Sequence, residues 1–284
     1  MFGRMEVEIV ISSKKTQKKD SKPQDSVQKN FSEVVDEIES KSSICKEIYE
    51  RDGVYFAHQD ALSFLREQKK NSIDLILTDP PYIISRKTGF ENCVNGVERF
   101  KVSMDFGSWD HDNTFTIDTL SNIIQECYRI LKKSGTLIIF YDLWKIQELK
   151  ETMESHKLKQ IRLIEWLKTN PVPLNSQRNY LTNAREVAVS AVKVSKPTFH
   201  SSYDNGVYKY PICHEKGRFH PTQKPLTFMK TLIDKHSNEG ETVLDCFAGS
   251  ATTLVAGILC QRKVIGCEKN IEYFEQAVQR LQSI

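Results

Sequence analysis

The sequence predicts an α/β protein built on a single twisted, largely parallel sheet. Three observations carry that prediction. Short apolar runs bounded by breakers, such as Ile73 to Leu77 and Thr136 to Tyr141, read as strands covered on both faces. Between them lie segments with helical spacing, of which Leu120, Ile123, Ile124, Cys127, Tyr128 and Leu131 form the clearest. The two kinds alternate from about Val54 to the end of the chain, the pattern of helical crossovers.

Composition sets the outer bounds. The 284 residues suffice for one large domain or two small ones, and 39% hydrophobic residues supply a substantial core. A net charge of +3 admits a polyanion partner without requiring one. Seven cysteines, an odd number with no Cys-x-x-Cys pair, favour reduced thiols in a cytosolic protein. No signal peptide and no apolar run of bilayer length is evident, so a cytoplasmic protein without a membrane partner is expected. Cys213, His214 and His220 lack zinc-like spacing, and no metal site is expected.

Residues 1–43 read as a flexible polar extension, and residues 44–284 as the folded domain. Val54 to Ala57 is a strand, and Ala61 to Glu67 a helix. Asp60 between them is either an N-cap or a carboxylate facing a cofactor's adenine. The strand ending at Leu77 runs into Thr78-Asp79-Pro80-Pro81-Tyr82. From Ile83 to Thr116 the pattern lapses; Arg86, Lys87, Arg99 and Lys101 suit DNA phosphate or guanine there, against the alternative of an unrelated surface insertion. A helix over Ile117 to Lys132, capped by Ser134-Gly135, leads to the strand Thr136 to Tyr141. A helix from Trp144 to His156 and strands over Gln160 to Leu167 and Glu186 to Lys193 follow. A second insertion near residues 170–219 offers Asn170 and Arg178 as DNA contacts, with Tyr203, Tyr208 and Tyr210 interleaved. The chain closes with a helix from Leu226 to His236, a strand Thr242 to Asp245, a helix to about Leu259, a strand Lys263 to Cys267 and a last helix Ile271 to Gln282.

Two stretches carry chemistry. Pro80 and Pro81 fix φ and lack N–H groups, so Asp79 to Tyr82 should form a stiff loop at a strand's carboxyl end, where open α/β sheets bind ligands. An exocyclic amine on a nucleobase is a poor nucleophile because its lone pair is delocalised. The Asp79 carboxylate and the Pro80 carbonyl offer two acceptors for its N–H bonds, and Tyr82 offers a ring to stack on an extruded base. The alternative is an ordinary Pro-Pro turn. In the second stretch, Gly249 permits a tight turn into a helix, and Glu268 stands about 20 residues on, placed for a ribose. No G-x-G-x-x-G is present, and Asp245 would repel a phosphate, so a ligand with an ammonium or sulfonium group suits the turn better.

Thr78 to Tyr82, His220-Pro221-Thr222-Gln223-Lys224-Pro225 and Asp245-Cys246-Phe247-Ala248-Gly249-Ser250-Ala251-Thr252-Thr253 together resemble the β-class DNA amino-methyltransferases, including the permuted order with the catalytic motif first. Met104 to Asp110 and Lys168 to Pro173 are similar to stretches of epsilonproteobacterial adenine methyltransferases of the HpyAVI kind. The resemblance implies a Rossmann-like methyltransferase fold with a seven-stranded sheet and S-adenosylmethionine as cofactor. It implies transfer of a methyl group to adenine N6 in double-stranded DNA, with the target adenine flipped out. Asp79 and Pro80 would hold the amine. Asp245, Phe247, Ala248, Gly249, Ser250 and Thr252 would form the cofactor turn. Glu268 would take the ribose, Asp60 the adenine, and Thr222, Gln223 and Lys224 the methionine carboxylate. A homodimer, a cognate restriction endonuclease and a bacterial, nucleoid-associated location accompany this reading. Cytosine N4, an RNA or protein amine, and a catalytically silent DNA-binding subunit are its alternatives. Two positions depart from the family pattern: Cys246 stands where a Pro is usual, and Ala251 where a second Gly is usual.

Overall fold

The computed structural model describes residues 47–81, 90–94, 97–102, 115–171, 181–213, 219 and 223–284. All of them lie within one compact unit, Lys46–Ile284. The elements in chain order are β1 (Ile48–Arg51), β2 (Val54–His58), α1 (Ala61–Glu67), β3 (Ile73–Thr78), β4 (Phe90–Val94), β5 (Val97–Val102), α2 (Ile117–Ile130), β6 (Leu131–Tyr141), a 3-10 turn (Leu143–Lys145), α3 (Ile146–Ser155), β7 (Lys159–Lys168), β8 (Arg185–Val192), β9 (Val207–Tyr210), α4 (Leu226–His236), β10 (Thr242–Asp245), α5 (Thr252–Leu259), β11 (Lys263–Glu268) and α6 (Ile271–Gln282).

Nine strands form the main sheet, in the order β1-β2-β11-β10-β3-β6-β8-β7-β9. The five from β2 to β6 are mutually parallel, with β3 at their heart between β10 and β6. β8 runs antiparallel between β6 and β7. The expected seven strands are the inner seven; β1 and β9 extend the sheet at its edges. β1 was hidden because its sequence does not alternate cleanly. Its signal is Asp52-Gly53, with Arg51 paired to Val54 across the turn and Gly53 at φ 72°.

Apolar side chains alternate along the inner strands, so both faces are covered. Leu75, Leu77, Ile138, Phe140 and Val243 pack with Phe228, Leu254 and Phe274 from α4, α5 and α6. Ile73, Ile76, Leu137, Ile139 and Leu244 pack with Phe64, Ile124 and Met153 from α1, α2 and α3. The result is a three-layer α/β/α arrangement that places every parallel strand's carboxyl end on one rim.

Three segments differ from the sequence reading. Ser134-Gly135 does not cap α2; the helix stops at Ile130, and β6 runs straight through the pair. Gly135 is needed there for close approach, since a Cβ would lie 3.1 Å from the Asp74 carbonyl and 2.8 Å from Leu131 Cδ2. The stretch 83–116 contains the antiparallel pair β4 and β5, for which Asn95-Gly96 is the sequence signal. The stretch 196–219 contains β9, which joins β7 in parallel. Among the described residues, no helix is long and apolar enough to cross a membrane.

Candidate active site

The carboxyl rim collects acidic groups from neighbouring strands: Asp79 after β3, Asp245 ending β10 and Glu268 ending β11. Because β8 is antiparallel to β6, its first residues, Arg185 and Glu186, reach the same rim, as does Lys168 at the end of β7.

The turn after β10 is tied by its own backbone. Asp245 is buried, and its Oδ1 accepts from Thr78 Oγ1 at 2.7 Å and from the Phe247 N–H at 3.1 Å. Burial pushes its carboxyl up to about 6; hydrogen bonds from Thr253, Thr78 and the Phe247 amide oppose that, and the neighbouring Asp79 charge adds to it. Gly249 takes φ 49°, and its N–H donates to Glu268 Oε2 at 2.8 Å. Glu268 Oε1 accepts from the Asn270 N–H at 2.8 Å. Burial raises this carboxyl too, and the amides of Asn270, Gly249 and Lys269 work against the shift. Arg280 of α6 braces the turn from behind, donating to the Ser250 carbonyl and the Thr252 hydroxyl at 2.9 Å each. Ala251 lies in the left-handed region at φ 56° and is fully buried, so the position does favour glycine and Ala carries strain there.

These features fit S-adenosylmethionine rather than a nucleotide phosphate. The Gly249 N–H that a phosphate would claim is already satisfied by Glu268, and the two acids make the turn negative. A ligand with a ribose diol and a cationic centre meets those acceptors. Asp60 stands two residues past β2, whose end pairs with Glu268, and the Gln59 N–H donates to the Glu268 carbonyl. It also caps α1, accepting from the Ser63 N–H at 3.0 Å with Oδ1, so the N-cap role is present whatever else the exposed carboxylate does.

Across β3 the surroundings change. Lys224 is buried just before α4; its Nζ donates to Asp79 Oδ2 and lies 3.1 Å from Glu186 Oε2 and 4.9 Å above the Phe140 ring. Lys168 reaches Glu186 Oε1 at 2.7 Å. Burial works to discharge Lys224, but Asp79 and Glu186 outweigh it and raise its affinity for the proton. Burial likewise works to protonate Glu186, and Lys224 with Lys168 hold it below the usual carboxylate range. Phe228 seats α4 beneath this cluster, meeting Phe140, Trp166, Tyr208 and Tyr210 at ring-centroid distances of 5.4 to 6.0 Å.

Pro80 is buried behind Asp79, and Pro81 is half-buried. Ala248, Ser250 and Thr252 are buried within the turn, and Phe247 meets Phe115 edge-on at 5.8 Å. Gln223 is buried against Cys213. Tyr82, Thr222, Arg86, Lys87 and Arg178 lie outside the described residues, as do the side chains of Arg99 and Lys101. Asn170 accepts from the Ile212 N–H and so pins the segment after β9. Tyr208 and Tyr210, read from sequence beside the nucleic-acid candidates, pack against α4; Tyr203 stands out in solvent. Sequence reasoning missed Glu186 and Thr78. A Glu opening a strand reads as a polar end, and only the antiparallel insertion of β8 brings it to the rim.

The DNA methylase family of N6/N4 methyltransferases matches residues 73–279. The chain belongs to this family. Type II methyltransferase M2.DpnII of Streptococcus pneumoniae is 31% identical over 255 residues, spanning 84% of this chain and 93% of that protein. DNA adenine methyltransferase YhdJ of Escherichia coli K12 is 30% identical over 254 residues, 79% of this chain and 81% of that one. The crystal structure of the M1.HpyAVI–SAM complex superposes with a TM-score of 0.61 at 28% identity, covering 80% of this chain and 98% of that one. The protein is therefore an S-adenosylmethionine-dependent DNA methyltransferase of the amino-methylating kind, on a Rossmann-like sheet.

Proposed function

We propose that this DNA methyltransferase acts on the N6 amine of adenine in double-stranded DNA. The observation that carries the reading is the placement of Asp79 and Pro80 at the end of the central strand, one hydrogen bond from the cofactor turn through Thr78 and Asp245. The Asp79 carboxylate and the Pro80 carbonyl are the two acceptors an amino group needs, and Tyr82 is assigned to stack on the base once it leaves the duplex. Bound S-adenosylmethionine supplies an electrophilic methyl group. Asp245, Phe247, Gly249 and Glu268 would hold it, with Asp60 at its adenine and Thr222, Gln223 and Lys224 near its methionine carboxylate, the Lys224 ammonium being shared with Asp79 and Glu186. The chain's own contribution is positioning: Asp79 orients the nitrogen lone pair, and the stiff Pro80-Pro81 pair keeps that carboxylate from drifting.

Aspartate rather than serine at the head of the tetrapeptide favours adenine over cytosine, and the name of the YhdJ relative supports the same choice. Arg86, Lys87, Arg99, Lys101, Asn170 and Arg178 are assigned to DNA. Relatives named as type II methyltransferases support a place beside a cognate restriction endonuclease; a homodimer and a cytoplasmic, nucleoid-associated location complete the reading. The test is methyl transfer to unmethylated genomic DNA followed by mass spectrometry of the digested product. N6-methyladenine is expected. Asp79→Ala should lower turnover by at least about a thousandfold with cofactor still bound, as loss of a transition-state contact does. N4-methylcytosine as the sole product overturns the adenine assignment, and near wild-type turnover in Asp79→Ala overturns the site.

A further inference from the structure

We infer that Glu186 is a positioning residue for the methyl transfer, acting on Asp79 through Lys224. The inference rests on the role assigned to Asp79 above. Four groups from four separated segments alternate in charge along the rim: Asp79, Lys224, Glu186 and Lys168. Lys224 is only 6% exposed, so its ammonium has little water to turn to and is held by these carboxylates and the Phe140 ring.

The geometry defines what each member does. A carboxylate that must accept from an amine has to keep its charge and its plane. Lys224 fixes the plane by engaging Oδ2. If that ammonium faced Asp79 alone, it would draw the carboxylate's electron density wholly to itself and weaken it as an acceptor. Glu186, 3.1 Å away, shares the ammonium and draws it along the rim. Lys168 in turn neutralises the other oxygen of Glu186 at 2.7 Å, so sharing leaves no unbalanced charge in a half-buried place. Glu186 thus sets how tightly Lys224 grips Asp79, without itself touching the amine. The paired strands β7 and β8 hold its backbone, since Glu186 pairs with Trp166.

The experiment compares Glu186→Gln, Lys224→Met and their double variant in the full chain, with Asp79→Asn alongside. Methyl transfer to DNA is measured across pH, and cofactor Kd by titration calorimetry. Glu186→Gln should lower kcat by about 10- to 100-fold, with cofactor Kd within about threefold of wild type, as loss of an indirect transition-state effect requires. Its pH–rate profile should shift relative to wild type. In the Lys224→Met background, Glu186→Gln should cost nothing more, because the path is already cut. Lys168→Gln leaves Lys224 and Glu186 in place but frees Glu186 to draw Lys224 further from Asp79, so it should move kcat by a smaller factor and in the opposite direction. A fall like that of Glu186→Gln counts against the inference, and this variant decides the matter should Glu186→Gln fail to fold. Full additivity of the two substitutions overturns the inference, as does a change confined to cofactor Kd or an unchanged kcat. If Asp79→Asn is inactive while Glu186→Gln turns over normally, only this inference fails. If Asp79→Asn remains active, the assignment of Asp79 fails beneath it.

Discussion

The turn after β10, proposed to hold the cofactor, and Asp79, the proposed catalytic carboxylate, stand at adjacent strand ends, yet the chain builds them in opposite ways. The turn is local. Asp245, Phe247, Gly249, Glu268 and Asn270 lie within one βαβ unit and hold each other mainly through backbone N–H groups. Asp79 is gripped by side chains from three later segments, Lys224 directly and Glu186 and Lys168 behind it. Backbone hydrogen bonds to a carboxylate cost little conformational entropy to keep. Long cationic side chains cost more, and they hold only where burial gives them nowhere else to go. A substitution in the turn should therefore damage binding and fold together, whereas one in the rim cluster should damage turnover first.

Glu268→Ala is the strongest way to break that contrast. It strips the acceptor from two amides at once, which typically costs about 1–3 kcal/mol for each group left buried and unpaired. Cofactor affinity should fall at least about tenfold and the thermal midpoint should drop with it. Asp79→Ala should leave cofactor affinity near wild type, its cost in stability coming only from the loss of one of the two carboxylates that hold the buried Lys224. An unchanged cofactor Kd in Glu268→Ala would mean that the turn is not where binding energy is gathered.

A smaller effect concerns pH. The Asp245 carboxyl sits at about 6 in the folded chain, above its ordinary 3.8, because burial disfavours its charge. The folded state therefore binds the proton more tightly than the unfolded state does. Its stability contribution is intact below about 4 and is lost as pH rises toward about 6. Measured as the difference in melting temperature between wild type and Asp245→Asn, the wild type should lose ground over that window and then hold level. His236, which burial keeps neutral down to about 4, acts in the opposite sense in both proteins and cancels in the difference. A flat difference would mean that Asp245 stays charged, with the Thr78 and Phe247 contacts stronger than burial.

The smallest effect sharpens the account of the turn. Ala251→Gly removes a Cβ from a left-handed residue and should stabilise the fold by about 1 kcal/mol, roughly 2–4 °C in a domain of this size. Calorimetry of the pair would show it, and a fall in melting temperature would mean that burial of the methyl outweighs the backbone strain.

The contrast also explains what could be read in the sequence. The inner strands, Asp79 at the end of β3 and Glu268 at the end of β11 were legible because each is set by neighbours in the chain: an apolar run, a breaker, a glycine turn. The departure at Ala251 was legible only against the family pattern, and its left-handed φ of 56° bears out the need for glycine there. Glu186 was not, because nothing near it in sequence says that β8 runs backwards beside β6. Tyr208 and Tyr210 misled for a related reason. Aromatic rings among polar residues suit a surface, and only the parallel pairing of β9 with β7 turns them onto Phe228.

The permuted order of the two halves has a consequence in time. Thr78 and Asp245 bond across 167 positions, and β2 finds its parallel neighbour only when β11 has been made. A ribosome delivers the proposed catalytic tetrapeptide well before the strand β10 that must lie beside it. Until then β3 has an unpaired edge, and contacts of such separation form slowly. The nascent protein therefore holds the two halves of its site apart until β10 and β11 take their places in the sheet.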